Sequence, residues 1–276
     1  MVAAACKHQF ALISARIGQY LHTESRRVLA FIENNLHMLL GGWVVLSLLA
    51  GGIKVLIVAH RLGTDPVASL AGIVLPYAMI ALAPVAGYAL SSKCFPSGEV
   101  LAQPVVRLAR LGRWKTLSPD QARQNPDFGV SGLLVSLIAG LLLSMFMRMS
   151  EFFLAMPAVP HGGPPWALAM FRVMAFDLVF LSFLYAVCVT MALRAAPLFP
   201  RMLVYAWLCD VMMQLAIAHY AASVGGMPGE VAATLQGYLL MNIKKVLISV
   251  VIWLPYLLVS ARVNVTFRQR VKYAPA

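Results

Sequence analysis

The sequence predicts an all-α membrane protein, a polytopic bundle of six transmembrane helices with both termini in the cytoplasm. Three observations predict it. Of 276 residues, 61% are hydrophobic and only 12% charged, well below the roughly 25% charged of a soluble domain. The apolar residues gather into six runs, each long enough to cross about 30 Å of hydrocarbon as a helix of about 20 residues. The basic residues collect beside alternate ends of those runs, as in cytoplasmic loops.

The runs cover residues 36–60, 67–90, 130–156, 167–193, 202–224 and 231–259. Helices are the required form, because an open strand carries backbone groups that lipid cannot satisfy. Lys7, Arg16, Arg26 and Arg27 precede span one; Lys93, Arg107, Arg110, Arg113, Lys115 and Arg123 fill the loop after span two; Arg194 and Arg201 flank the turn after span four. Arg262, Arg268, Arg270 and Lys272 form the tail, so these sites carry sixteen basic residues against Arg61 alone in the opposite loops. That asymmetry places both ends and the 93–128 loop inside, in a multi-pass protein of the cell inner membrane.

The chain divides accordingly into a segment 1–35, spans one and two over 36–92, a basic loop 93–128, and spans three to six with the tail over 129–276. In the first segment Phe10, Ile13, Ile17, Tyr20 and Leu21 recur at helical spacing, while Arg16, Gln19 and His22 fall largely elsewhere. The pattern fits an amphipathic interfacial helix or a helical extension of span one. In the basic loop, residues 105–111 form a basic amphipathic stretch, and Ser118-Pro119-Asp120 is a helix start. Contact with anionic headgroups explains this loop. Nucleic-acid binding would need aromatic interleaving, and Trp114 alone is too little. Trp166 and Tyr220 suit an aromatic belt at the periplasmic face.

Charges inside the spans carry the functional question, since each costs about 2.5–3.5 kcal/mol at mid-bilayer unless it has a partner or a cavity. Lys54, Arg148, Glu151 and Arg172 lie about 6–10 Å inside their periplasmic span ends, so they can share one layer. Arg148 and Glu151 are three apart on one helix and can pair. Gly132, Ser136, Gly140 and Ser144 form a small-residue stripe that leads to Arg148 and turns it toward the bundle. With one acid and three bases, the layer reads as an anion site for a lipid phosphate, or as one Arg–Glu staple flanked by snorkelling Lys54 and Arg172. Asp177, Asp210 and the pair Lys244 and Lys245 lie nearer the midplane, with Gln214 one turn from Asp210. Counted from the loop near Gly226, Asp210 sits about 24 Å down span five and Lys244 about 27 Å down span six, which predicts that Asp210 pairs with Lys244 or Lys245. The group reads as a cation or proton carrier site or as a buried ion pair that fixes helix packing.

No cofactor is expected. Cys6, Cys94, Cys188 and Cys209 lie far apart, without a metal-binding spacing. Of His37, His60 and His219 only the last falls within a span rather than near its edge, so no axial haem pair is legible. No Ser/His/Asp or Cys/His constellation is legible either.

The tail carries a motif: Ile252-Trp253-Leu254-Pro255-Tyr256, then Ser260-x-Arg262-Val263-x-x-Thr266-Phe267. With Phe199-Pro200 before span five and Gly41-Gly42-Trp43 near span one, it resembles domain-of-unknown-function family 2569, the small YdgK-like bacterial inner-membrane proteins. The resemblance covers about residues 171–267 and implies a four-span relative to which spans two and three are added; it implies no activity. Physically, Pro255 loosens the last span near the cytoplasmic face, Tyr256 anchors at the headgroups, and Ser260, Arg262 and Thr266 emerge as a polar, cationic turn suited to a headgroup or partner protein.

The leading functional reading is a non-enzymatic scaffold or accessory subunit of a membrane complex, meeting lipid and partner proteins or further copies of itself. The alternative is a small transporter or lipid-phosphate carrier built on the intramembrane charges. A third is a lipid-phosphate-modifying enzyme using Arg148, Arg172 and Glu151, against which the missing nucleophile or metal cluster counts.

Overall fold

In the computed structural model the described residues are 2–62, 66–96, 98, 101–104, 106, 113–160 and 162–273, with side chains described from residue 23 and not over 61–70. Among the described residues the chain is a helical bundle with six helices long and apolar enough to cross a membrane. They lie in α1 (Val2–Leu62), α2 (Pro66–Cys94), α4 (Leu133–Ala155), α5 (Pro165–Leu193), α6 (Phe199–Ser223) and α7 (Gly229–Val259). Each corresponds to an expected span, with ends shifted by a few residues.

The N-terminal segment is the exception. Its backbone continues without interruption into span one, so α1 is a single helix of 61 residues, rising about 92 Å. The side chains of Phe10, Ile13, Ile17, Tyr20 and Leu21 lie outside the described residues, as does most of the basic stretch 105–111.

α5 is the central helix. It is apolar all round, the mark of a fully buried helix, and seventeen of its 29 residues are buried. It packs against α2, α4 and α6, and α7 joins through α6. The α2 contact is the closest: a Cβ built on Gly87 would lie 2.6 Å from the Phe183 carbonyl oxygen. Toward the Pro-rich 157–164 loop, Tyr77 of α2 packs edge-on to Phe152 of α4 and Phe171 of α5. Polar contacts help tie α1 on: the Trp43 indole N–H donates to the Ile80 carbonyl at 3.0 Å, the Ser47 hydroxyl to the Met149 sulfur at 3.0 Å, and the Gly132 amide to the Ser25 hydroxyl at 2.9 Å.

The basic loops and the tail meet at one end of the bundle. α3 (Pro119–Gln124) starts where expected, with Ser118 and Gln121 closing a reciprocal capping box. Two short strands, β1 (Trp114–Thr116) and β2 (Arg270–Lys272), pair antiparallel and fasten the loop to the tail. Against β2 and α3 packs α8 (Ala261–Arg268), N-capped by Ser260 and closed by Gln269 at φ 48°.

Candidate functional site

Four helices bring polar side chains to one centre. α4 supplies Arg148, α5 supplies Asp177 and Tyr185, α6 supplies Asp210 and Gln214, and α7 supplies Asn242. The Arg148 Nη2 donates to Asp210 Oδ1 at 2.8 Å, and the Tyr185 hydroxyl donates to Asp210 Oδ2 at 2.7 Å. Asp177 Oδ2 lies 3.8 Å from Arg148 Nη1, while its other oxygen accepts from Gln214 Nε2 at 3.0 Å. Asn242 Nδ2 donates in turn to Gln214 Oε1 at 3.3 Å. Asp210, Asp177 and Arg148 are 1%, 3% and 13% exposed at the side chain.

Helix periodicity explains the convergence. Asp210 and Gln214 are four apart and share a face of α6, so one meets Arg148 and the other Asp177. Side chains lean toward the N-terminus of their helix. α4 and α5 are antiparallel, so Arg148 and Asp177 lean toward one another along the bundle axis. An arginine seven residues from the end of its helix thus reaches an aspartate twelve residues inside the next.

The centre borders a cavity of about 300 Å³ between α4 and α7. Gly140 and Ser144 stand exposed on its rim; Ser182, Trp207 and Ser249 line it. Two buried polar atoms of residues that line it, Arg148 Nη1 and Ser182 Oγ, have no hydrogen-bond partner among the described residues. Beside the cavity Lys245 pairs with Glu151, and this pair is half-exposed.

These contacts correct the expected pairings. Arg148 pairs with the two aspartates and not with Glu151; Glu151 takes Lys245; Asp210 takes neither lysine. The expected positive layer therefore does not form. Lys54 donates to the Met156 carbonyl at 3.0 Å, closing the C-terminal end of α4 where a cation suits the helix dipole. Arg172 and Lys244 are exposed on their helices. The stripe on α4 is not a packing seam, since Ser136, Gly140 and Ser144 are exposed and a Cβ on Gly140 would meet nothing within 4 Å.

Rotation, not depth, separates Asp210 from the lysines. Asn242 of α7 reaches Gln214 of α6, so the two helices match in depth there, and Asp210 and Lys245 border one cavity. Asp210 is buried, however, whereas Lys244 and Lys245 are exposed. Tyr185 and Asn242 carry no charge, so nothing about their residue type sets them apart within an apolar run. Tyr185 lies eight residues from Asp177 on α5, a spacing that would have marked it.

The tail motif is also occupied, but from within the chain. Ser260 accepts from the Val263 amide at 3.5 Å. Arg262 pairs with Asp127 at 3.5 Å, and the Thr266 hydroxyl accepts from the Gly129 amide at 3.0 Å. Phe267 is fully buried against Phe199, ring centroids 5.0 Å apart, and Trp253 meets Tyr256 edge-on. Pro255 stands exposed inside α7. Arg262 and Thr266 fasten α8 to the 127–129 turn, and Ser260 caps the helix.

No family model, curated protein or solved structure matches this chain. The polar centre is read on its own geometry.

Proposed function

We propose that this integral membrane protein is a carrier of the inner membrane, N-in and C-in, that takes up a cationic group, the proton included, at Asp177 and Asp210. One observation carries the reading. Two buried carboxylates share a single guanidinium beside a cavity, which leaves one negative charge to be neutralised in a medium where unpaired charge is costly. Arg148 already touches both acids. A swing of its guanidinium from Asp210 toward Asp177 would free one carboxylate for an incoming cation and restore it on release. Glu151 and Lys245 neutralise each other and stand where a gate to the cavity would be.

The scaffold or accessory-subunit reading draws support from α7, whose Leu240, Leu247, Ile248, Val251 and Ile252 are exposed. Lipid covers such a face as well as a partner helix would, so the carrier reading, which also accounts for the buried charges, is preferred.

The test uses purified full-length chain in potassium-clamped vesicles with a trapped pH dye. A pH step should collapse faster than in protein-free vesicles, and Asp177→Asn and Asp210→Asn should each return the rate to that background. Exposed Glu230→Gln should leave it unchanged. Equal rates in all samples would reject the reading.

A further inference from the structure

The end of the bundle where loop and tail meet holds a second charged cluster, which the polar centre does not use. Between the start of α6 and the end of α7 lies a cavity of about 140 Å³. Arg201, Arg268 and Arg270 line it together with the apolar Val204, Tyr205 and Leu254. Val204 and Tyr205 are 37% and 53% exposed, so the apolar lining continues onto the surface of the bundle.

The arginines are placed by the fold. Asn264, buried in α8, accepts with Oδ1 from Arg268 Nη1 at 3.0 Å and from Arg270 Nε at 2.8 Å, holding two guanidinium groups side by side. The Arg270 guanidinium lies 4.7 Å over the Trp114 ring. Arg268 also donates to the Leu257 carbonyl, and Arg201, from the first turn of α6, to the Val106 carbonyl. Among the described residues neither Arg201 nor Arg268 has an ion-pair partner. Burial, then the like charges of Arg270 and Arg201, push Arg268 below the usual arginine range, to about 10. A base whose pKa falls on folding carries its charge at a cost at every pH below about 10, and a bound anion relieves that cost.

We propose that this cavity binds a phosphate group, supplied by the headgroup of an anionic phospholipid or by free phosphate. Guanidinium groups fit phosphate oxygens through paired, charge-assisted hydrogen bonds. The apolar wall gives an acyl chain a path along α6 and α7.

Native mass spectrometry of the full chain tests this, with phosphatidylglycerol, phosphatidylcholine and inorganic phosphate as probes. Wild type should hold one phosphatidylglycerol at about tenfold or greater preference over phosphatidylcholine, the scale of one charge-assisted bond. Arg201→Gln should abolish that preference and Arg201→Lys should keep part of it; neither touches the Asn264 clamp. Lys272→Gln, exposed on β2, should change nothing. Competition by millimolar phosphate, with no effect of Val204→Trp on phosphate binding, identifies free phosphate as the ligand. Loss of lipid retention in Val204→Trp without such competition identifies the phospholipid. No preference in wild type together with no phosphate adduct, or a preference unchanged in Arg201→Gln, overturns the proposal.

Discussion

Removing the Arg148 guanidinium would leave Asp177 and Asp210 buried without a countercharge. Breaking a buried ion pair from one side costs about 3–5 kcal/mol, so Arg148→Leu should lower the stability of the detergent-solubilised chain by about that much. Asp210→Asn should cost less, because it keeps its shape and can still accept from Tyr185. The pairing itself is read by double-mutant cycles. Arg148 and Asp210 should couple by more than about 1 kcal/mol, whereas Lys245 and Asp210 should be additive within about 0.5 kcal/mol. The reverse result would restore the pairing expected from depth alone. Lys245 should instead couple to Glu151, and weakly, since that pair is half-exposed.

Close approach of helices depends on which small residues face a neighbour, and the two helices with candidate glycines behave oppositely. Gly87 of α2 lets the Phe183 backbone of α5 approach, so Gly87→Ala must push the helices apart at a cost of about 1–3 kcal/mol. Gly140 of α4 meets nothing, and Gly140→Ala should be neutral or gain up to about 1 kcal/mol from helix propensity. Thermal unfolding of both variants checks the contrast; equal losses would contradict the packing. The existence of each spanning helix was legible because a run of about 20 apolar residues has few other solutions. Rotation was not. The spacing of Gly132, Ser136, Gly140 and Ser144 is the same whether the stripe faces a helix or a cavity. The pairing of β1 with β2 was hidden for another reason: three-residue strands far apart in sequence carry too little periodicity to register.

Across the whole molecule, the basic loop, α8 and the tail form one end, and the 157–164 loop lies at the other. Reporter fusions at residues 115, 197 and 276 should read cytoplasmic and those at 63, 161 and 227 periplasmic, following the sixteen-to-one basic asymmetry. A periplasmic C-terminus would contradict N-in/C-in. The charged residues of the polar centre were visible in sequence, because ionisable side chains are rare inside spans; their partners were not, because partnership depends on lean and rotation across four helices. In the proposed carrier one carboxylate beside Arg148 is available to a cation. Carbodiimide labelling in membranes reads that availability, since the reagent modifies protonated carboxyl groups in apolar surroundings. An adduct is expected on Asp177 or Asp210, mapped by peptide mass spectrometry, while Glu151, paired with Lys245, and exposed Glu230 stay unmodified. Adducts on Glu151 or Glu230 with none on either aspartate would contradict it.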